Sequence, residues 1–594
     1  MPRKRKKPTE YQTQLRQTRR CASRHVVKYE ADLSETDKRH IFADADQERR
    51  FGNALTAVMN KRLEQLFRTR HYRGLLGCYG RLSDKAKPLR ALENPSPAQA
   101  KRLAELEKRL GSVKAELTDM QKQYKVTWDD CHAEELRLNK FYDVCSVMAH
   151  TKAQSVWQGV EKVLFSNGRK LSFAKKGKLP AMQAKQINRC IVLSVEDGKL
   201  VFRYRGIRIP LKDYSGDRFL SEEAEAMLQY LTQPEVMDRK AVDAHNAQKP
   251  IPDLYRPCYA AFICKTIRGK LRVYVHVAVE GHPKPKKDRF GQPRHMYGKG
   301  RVGCDIGTQT IAYTSDSEVG LENLAERGSS IRKNERKERL LYRALDRSRR
   351  DSNPDNYDKE TGMIVPGPKT WKKSNRYRRR VREHQEASRI AAENRKYAIR
   401  ERVNHMRVLG DVFITEPANA AKLQKKAKPD PVPAKTNAAS VTKTDAAPAG
   451  KADAATQANP SGKKKRRKRF GKSIKNRCPG FFQAQVKQRF EQTGGTYVVV
   501  PSRYRASQYD HTADAYIPKK LSDRMYHLKD KTLVQRDWYS SFLLYCAQGD
   551  YAKIDRKRCL KSFSGQYAKE QAMVDAIARS GKRIINSGIK PLAV

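Results

Sequence analysis

The chain is 594 residues long and carries 124 lysines and arginines against 65 aspartates and glutamates, a formal net charge of +59. Hydrophobic residues make up 38% of it and charged residues 32%, and no stretch approaches the ~20 consecutive apolar residues of a membrane-spanning helix. This composition excludes polytopic membrane, collagen-like and disulfide-framework proteins, and the excess of positive charge predicts a polyanionic partner, nucleic acid above all.

The amino-terminal segment is a basic arm, followed by a predicted strand over residues 25–29. Its first residues, MPRKRKK, lack the apolar region of a signal peptide, so a cytoplasmic protein is expected. The eleven cysteines are scattered without any CxxC pair, which argues against a disulfide framework and against a ready-made zinc knuckle.

Helices are predicted for the next part of the chain. Apolar residues recur at helical spacing over residues 51–66, with the stem of Arg62 within the stripe. Ser96 as N-cap and Pro97 in the first turn begin a second helix, whose apolar heptads continue to Met120. We expect this helix to form a hairpin with a helix over residues 130–164, as ordinary packing without a separate function.

An antiparallel β module is predicted for residues 167–300. Strands over 191–195 and 200–204 are joined by an Asp-Gly pair that suits a tight turn. Strands over 259–266 and 271–279 turn through Arg268 and Gly269, and a helix over 221–231 interrupts the module.

Strands and helices alternate from residue 301 onward, which predicts an α/β domain. Its elements are strands over 302–305, 311–315, 412–415 and 496–501 and helices over 330–350, 375–409 and 482–492, with a last helix that begins near Asp537. Residues 424–462 contain no aromatic residue and almost no large aliphatic one, so a disordered insertion is predicted there.

A carboxylate ends or begins each of three apolar elements in this domain. Asp305 lies in VGCDIG, Glu416 ends VFITE, and Asp537 begins the helix DWYSSFLLYC. Taken singly, they suit a turn, an exposed strand end and a helix first turn. Together they suit polynucleotide hydrolysis, which uses two divalent ions about 4 Å apart, held by hard oxygen ligands.

The segments VGCDIG, VFITE and QRDWYSSFLL resemble the three split motifs of a RuvC-type nuclease, in the arrangement of the TnpB family of RNA-guided transposon endonucleases and its CRISPR type V relatives. LDRSRR, RKYAIRERVNHMRVLGDVFITE and RFGKSIKNRCPGFF agree as well, and the resemblance covers about residues 45–580. It implies an α/β fold: an RNase H-like (RuvC) nuclease domain, an amino-terminal antiparallel β module (wedge) and an inserted helical recognition lobe.

The resemblance also implies a division of the chain into six segments. These are a basic arm with the first wedge strands (1–44), the recognition lobe (45–166), the wedge module (167–300), RuvC motifs I and II with basic helices (301–423), the insertion (424–462) and the RuvC motif III region with a target-loading loop (463–594).

The implied activity is RNA-guided cleavage of double-stranded DNA beside a short flanking motif. Asp305, Glu416 and Asp537 would be the catalytic ligands of two Mg²⁺ or Mn²⁺ ions. The implied partners are a guide RNA and the target DNA, with no membrane, in a prokaryotic, nucleoid-associated protein for which a monomer is favoured. Base pairing would supply the sequence information, and protein charge would bind the nucleic-acid backbones.

Basic side chains on helical faces and in the cationic run after the insertion are the predicted nucleic-acid contacts; a solvated surface is the alternative. They are Lys61, Arg70, Arg73, Arg343, Arg347, Arg350, Arg378, Arg382, Lys463, Arg466, Arg467 and Arg469. The aromatic side chains between them, Tyr342, Trp371 and Tyr377, could stack on bases or fix the helices to the protein.

The chain departs from the family in one respect, because TnpB proteins usually carry a four-cysteine zinc knuckle before the third acidic motif. Residues 501–537 contain no cysteine, only His511 and His527, so no structural zinc is expected. His511 lies beside Asp510 and close to Asp514, and we interpret it as part of a solvated polar loop rather than as a metal ligand.

Two other functions remain open at this point. One is an RNA-guided DNA-binding repressor that is inactive or weakly active as a nuclease, although all three acidic motifs are present. The other is a transposase or junction resolvase that acts without RNA. A cleavage assay separates the first from the nuclease, and the nucleic acid that copurifies separates the second.

Overall fold

The computed structural model describes residues 23–592, apart from 91, 93–94, 166–167, 169, 187, 233–254, 327–329, 418–470, 521 and 582. The chain forms two compact units, Met1–Arg294 (unit 1) and His295–Val594 (unit 2), and both mix helices with sheets. Of the helices described, none combines the length and the apolar character needed to cross a membrane. The insertion predicted over 424–462 lies outside the described residues.

Unit 1 contains a helical part and two antiparallel sheets. Its helices are α1 (Glu35–Arg68), α2 (Arg70–Arg90), α3 (Pro97–Gln123), α4 (Trp128–Tyr142), α5 (Ser146–Phe165) and α6 (Arg218–Thr232). Its strands are β1 (Arg24–Glu30), β2 (Met182–Ala184), β3 (Val192–Glu196), β4 (Lys199–Tyr204), β5 (Ile207–Pro210), β6 (Arg256–Ile267) and β7 (Lys270–Glu280). The sheet orders are β1-β7-β6-β2 and β3-β4-β5.

Local sequence signals placed several of these elements correctly. Ser96 caps α3 through a capping box with Gln99, and Pro97 is the first helical residue. The β3–β4 turn has positive φ at Asp197 and Gly198, and the β6–β7 turn has it at Arg268 and Gly269, as tight hairpin turns require.

The predicted partner of the α3 hairpin is wrong. The helix that packs along α3 is α2, which precedes it, and the two share a small apolar cluster centred on Leu82, Ala86 and Leu110. Because only a short segment joins α2 to α3, the antiparallel neighbour is the element next to it in sequence. An ion pair of 3.2 Å between Arg90 and Glu107 lies near the closed end.

The single helix predicted over 130–164 is two helices, α4 and α5. Asp143 adopts a left-handed conformation with φ of 46°, and the side chain of Asn139 bonds both the N–H and the C=O of Val144, which ends α4. A disulfide joins Cys145 to Cys190, a pairing that the scattered cysteines did not predict.

Unit 2 is built around one five-stranded mixed sheet. Its strands are β8 (Arg301–Ile306), β9 (Thr310–Ser315), β10 (Val319–Asn323), β11 (Val412–Thr415) and β12 (Thr496–Val499), and its helices are α7 (Ser330–Asp351), α8 (Asn375–Leu409), α9 (Gly471–Arg477), α10 (Pro479–Gln492), α11 (Arg536–Tyr545) and α12 (Arg556–Arg579). The order is β10-β9-β8-β11-β12, antiparallel among the first three strands and parallel from β8 onward.

Helices cover both faces of this sheet. On one face, Val302 and Phe413 pack with Met406 of α8 and Phe490 of α10. On the other face, Ile414 packs with aromatic residues of α11. The sequence missed β10 and α9 and predicted one terminal helix where there are two, α11 and α12.

Candidate active site

Strand β8 directs Asp305 towards α11. A Cβ atom at Gly303 would collide with backbone atoms of Ser541 and Tyr545, so the glycine allows α11 to lie directly on the strand. Side chains two residues apart share a face of a strand, so Asp305 lies on the α11 side, as Gly303 does. Gly303 is therefore needed to bring the helix onto the strand that carries Asp305.

Strand β11 places Glu416 next to Asp305. The two strands are parallel and hydrogen-bonded, with Thr415 opposite Cys304, so the following residues, Glu416 and Asp305, lie at neighbouring strand ends. Ile414 packs against the aromatic residues of α11, which puts Glu416, two residues later, on the same side of the sheet. The N–H of Ala506 donates a 2.8 Å hydrogen bond to Oε1 of Glu416 and holds that carboxylate in place.

Asp537 belongs to the first turn of α11. The side chain of Gln535 caps this helix by accepting a 2.7 Å hydrogen bond from the N–H of Trp538, and a carboxylate in the first turn is favoured by the helix dipole. Most of α11 is buried, whereas 18% of the Asp537 side chain is exposed. Asp537 is therefore the one acidic residue of a helix that is otherwise largely buried.

The three carboxyl groups lie in surroundings that disfavour their charged forms. Burial raises the pKa of Asp305 well above its usual value, and the charges of Asp537 and Glu416 raise it further. Burial also raises the pKa of Glu416 and of Asp537. Buried acids of this kind are stabilised by a multivalent cation.

The three groups do not form a tight cage around a single ion. In the described part of the chain, the one set of three His, Cys, Asp or Glu side chains whose ligand atoms all lie within 4.8 Å of one another is a different set, in unit 1. The acidic groups of unit 2 are more widely spaced. A site for two ions about 4 Å apart can use ligands that lie farther apart than those around a single ion.

Two arginines that the sequence analysis missed lie beside the acids. Nη1 of Arg524 is 3.4 Å from Oδ1 of Asp537, and Arg536 is buried, donating a 2.7 Å hydrogen bond to the carbonyl of Lys520. Both oppose the rise in the pKa of Asp305 and Asp537. Arg536 could have been noticed as the neighbour of Asp537, but no sequence signal pointed to Arg524.

The segment between β12 and α11 is not a solvated polar loop. It forms two ribbons, β13–β14 (Tyr509–Asp510 with Ala515–Tyr516) and β15–β16 (Met525–His527 with Leu533–Gln535). His511 is buried among aromatic rings, with Nδ1 2.7 Å from the hydroxyl of Tyr539. The solvated interpretation of His511 is therefore wrong, because the apolar face of α11 draws this segment into the core.

The predicted nucleic-acid contacts are exposed wherever the structure describes them. Lys61 lies on α1, and Arg70 and Arg73 lie on α2; Arg343, Arg347 and Arg350 lie on α7, and Arg378 and Arg382 on α8. Arg350 is held by Asp346 at 2.8 Å and by the carbonyl of Gly362 at 2.9 Å. Lys463, Arg466, Arg467 and Arg469 lie outside the described residues.

The aromatic residues near the basic helices differ in their contacts. Trp371 is edge-on to Tyr357 and lies beneath the guanidinium of Arg349, so it fixes the loop between α7 and α8. Tyr342 is exposed and contacts only the ring edge of His384 among the described aromatic residues. Of the two predicted roles, Trp371 has the one of holding protein elements together. Base stacking stays a prediction for Tyr342 and Tyr377.

Comparisons with known proteins give structural matches only, and the one described here is distant. No family model and no curated protein matches the chain. A solved structure described as the Cas12i1 R-loop complex before target DNA cleavage aligns with 10% sequence identity and a TM-score of 0.22, over 80% of this chain and 58% of that one. The present chain thus spans less than two thirds of that protein, and a TM-score of this size does not establish a shared fold.

Proposed function

We propose that this protein is an RNA-guided DNA endonuclease with a RuvC-type active site formed by Asp305, Glu416 and Asp537. The observation that carries the proposal is the convergence of these three side chains on one side of the unit 2 sheet, at the ends of two neighbouring parallel strands and the start of the helix that covers them. The order of three antiparallel strands followed by two parallel ones supports an RNase H-like domain.

The donor set fits divalent magnesium or manganese. All three candidate ligands are hard carboxylate oxygens. Burial makes their charged forms costly without a cation, and the charges of Asp537 and Glu416 add to that cost at Asp305. When bound, such ions polarise a phosphodiester and assist the attack of water on phosphorus. The protein's own contribution is positional: Ala506 fixes Glu416, Gln535 fixes the start of α11, and Arg524, whose side chain is 30% exposed, offers a guanidinium to a phosphate.

The guide RNA and the double-stranded DNA target are the partners that the charge supports best. A net charge of +59 exceeds what a single short duplex contact needs, and the exposed arginines of α7 and α8 offer contacts that do not depend on base sequence. In this proposal the helices α1–α5 form the recognition lobe, and the antiparallel sheets of unit 1 form the wedge.

The test is cleavage of a target plasmid by protein purified with its native RNA, in Mg²⁺. Asp305→Ala should lose cleavage by at least about 1,000-fold while it retains RNA-directed DNA binding. Asp575→Ala, which removes an exposed carboxylate from α12, is the matched control and should cut normally.

The outcomes separate this proposal from its competitors. Undiminished cutting by Asp305→Ala would remove the active-site assignment. Binding without cutting by the wild-type protein would favour a guided repressor. Cleavage that does not require the copurified RNA would favour a transposase or a resolvase, and the sequence of that RNA would identify the source of the guide.

A further inference from the structure

A second group of chemically reactive side chains lies in unit 1, between α4 and α5. His132 and Glu135 are three residues apart on α4 and therefore share a helix face, and His150 projects from α5. One ligand atom from each residue lies within 4.8 Å of the other two. The nuclease proposal assigns no role to these residues.

The three side chains already share one contact point. Nδ1 of His132 lies 2.7 Å from Oε2 of Glu135, and Nδ1 of His150 lies 3.3 Å from the same oxygen. Ligand atoms around a tetrahedral zinc ion, with bonds of 2.0–2.1 Å, are separated by about 3.3 Å. The distance from Glu135 to His150 already matches this spacing, and a side-chain rotation that opens the distance to His132 by roughly 0.6 Å would match it as well. The ligand atoms of His132 and His150 lie within 4.8 Å of each other.

Charge provides a second reason to expect a cation. The Glu135 side chain is only 4% exposed, and both of its ion partners in the described structure are histidines, whose positive charge is not permanent. Another buried acid of the same unit, Glu48, is paired with Lys152 at 2.8 Å. A buried carboxylate without a permanent cation is costly, and a bound metal ion removes that cost.

The surroundings hold the ligands and leave one side open. The indole of Trp128 stacks on His132 with an interplanar angle of 4° and is edge-on to His150, and Trp157 packs against Trp128. The side chains of His132 and His150 remain 39% and 41% exposed, so water can reach a fourth ligand position.

The geometry points to a binding site for a divalent first-row transition ion of the zinc type, held by His132, Glu135 and His150 with water as the fourth ligand. Two imidazoles and one carboxylate favour such an ion over Mg²⁺, which prefers oxygen ligands alone. The ion would join α4 to α5 across the break at Asp143 and stabilise this corner of unit 1. The site is separate from the acidic residues of unit 2 and does not depend on the nuclease proposal.

The experiment is a zinc titration of the tag-free, chelator-treated, full-length protein against a chromophoric zinc indicator, in excess Mg²⁺. We expect one Zn²⁺ site whose affinity falls by about 100-fold or more in His132→Ala and in His150→Ala. His71→Ala is the matched control, because His71 forms a solvent-exposed pair with Glu116 in the same unit and belongs to no group of three ligands among the described residues. The zinc affinity of this variant should equal that of the wild type.

Two further measurements keep the test decisive if an alanine variant fails to fold. Glu135→Gln keeps the size of the side chain and should also weaken binding, and Co²⁺ bound to the wild type should give visible absorption and quench the fluorescence of Trp128 and Trp157. Equal zinc affinity in the wild type, His132→Ala and His150→Ala would overturn the proposal. So would a wild-type protein that gives no stoichiometric Zn²⁺ or Co²⁺ signal, since the cluster would then be a hydrogen-bonded contact only.

Discussion

The Asp305 carboxyl lies in a partly buried position near two other acids, which should weaken the folded state when no metal is present. Because its pKa is raised in the fold, its favourable contribution is present below the pKa of the unfolded chain and is lost as pH rises through the folded value. Asp305→Asn should therefore raise the Tm of the chelator-treated protein by about 2 to 4 °C at pH 7.5. Thermal unfolding followed by circular dichroism measures this.

Changing the pH and adding Mg²⁺ provide controls for the Tm comparison of Asp305→Asn with the wild type. The difference in Tm between Asp305→Asn and the wild type should shrink as pH falls towards 4, where the wild-type carboxyl is neutral, and it should shrink or reverse in Mg²⁺. Asp575→Asn, at an exposed position on α12, should give no such dependence. A variant less stable than the wild type at pH 7.5 without metal would contradict the repulsion among the three acids.

The sequence marks the three candidate acids but not the residues that contact them. Asp305, Glu416 and Asp537 each follow or begin a recognisable apolar run, so a local pattern marks them. The Ala506 N–H and the Arg524 guanidinium act from distant points of the chain, and nothing in their own neighbourhoods distinguishes them. Contacts of this kind are decided by tertiary packing, which a single sequence does not express.

At the scale of elements, the close contact between β8 and α11 leads to a sharp prediction. Gly303→Ala would place a methyl group against the backbone of Ser541 and Tyr545, so α11 must shift away from the strand. We expect a loss of about 3 kcal/mol in the stability of unit 2, and a loss of cleavage because Asp537 moves with the helix.

Gly549→Ala is the matched control for this substitution. The position has open space around it, so the added methyl group should leave both the Tm and cleavage unchanged. Wild-type stability in Gly303→Ala, measured by chemical unfolding, would show that the helix does not rest on the strand as described.

A buried acid behind α11 gives a second prediction at this scale. Burial raises the pKa of Glu570 to about 7, and its carboxylate accepts a 3.1 Å hydrogen bond from the N–H of Gln535, the cap of α11. Glu570→Gln should stabilise the protein at pH 8 by on the order of 3 kcal/mol, because a buried charge is removed while the acceptor oxygen remains. The gain should become small near pH 4.5, where the carboxyl is protonated in the folded chain and about half protonated in the unfolded chain.

Unfolding measured from pH 4.5 to 8 checks the Glu570 prediction. The contribution of the wild-type carboxyl is lost as pH rises through about 7, so the gain of the variant should grow over that range. Glu491→Gln, at an exposed position on α10, should show no comparable trend. A gain that does not depend on pH would mean that the effect arises from packing rather than from ionisation.

Elements whose signals are local were predicted well, and pairings were predicted poorly. The cap at Ser96 and the turns at Asp197 and Arg268 are decided by a few adjacent residues. The choice of α2 as the neighbour of α3, and the burial of His511, depend on surfaces far apart in sequence. The polar composition of residues 501–536 hid the few aromatic side chains that draw this segment onto α11.

For the whole molecule, the excess of positive charge predicts a steep dependence of nucleic-acid binding on salt. Each phosphate contact on duplex DNA contributes about −0.9 to the slope of log K against log salt. The double variant Arg343→Gln, Arg347→Gln removes two exposed charges from α7 and should reduce the magnitude of that slope by up to about 1.8.

Binding titrations over a range of salt concentrations measure this slope. Lys487→Gln combined with Arg579→Gln removes the same number of exposed charges from α10 and α12 and is the matched control, with a slope close to that of the wild type. An unchanged slope in the α7 variant would mean that this helix face does not contact phosphate.

The alignment of β11 with β8 has a consequence for how this chain can evolve. If β11 moved along β8 by one residue, Glu416 would emerge from the opposite side of the sheet and leave the neighbourhood of Asp305. Segments between the elements can therefore lengthen or diverge freely, as long as they reconnect without disturbing this alignment. Whether Glu416 stays beside Asp305 depends on the register between β11 and β8, rather than on the length or composition of the segments that join the strands.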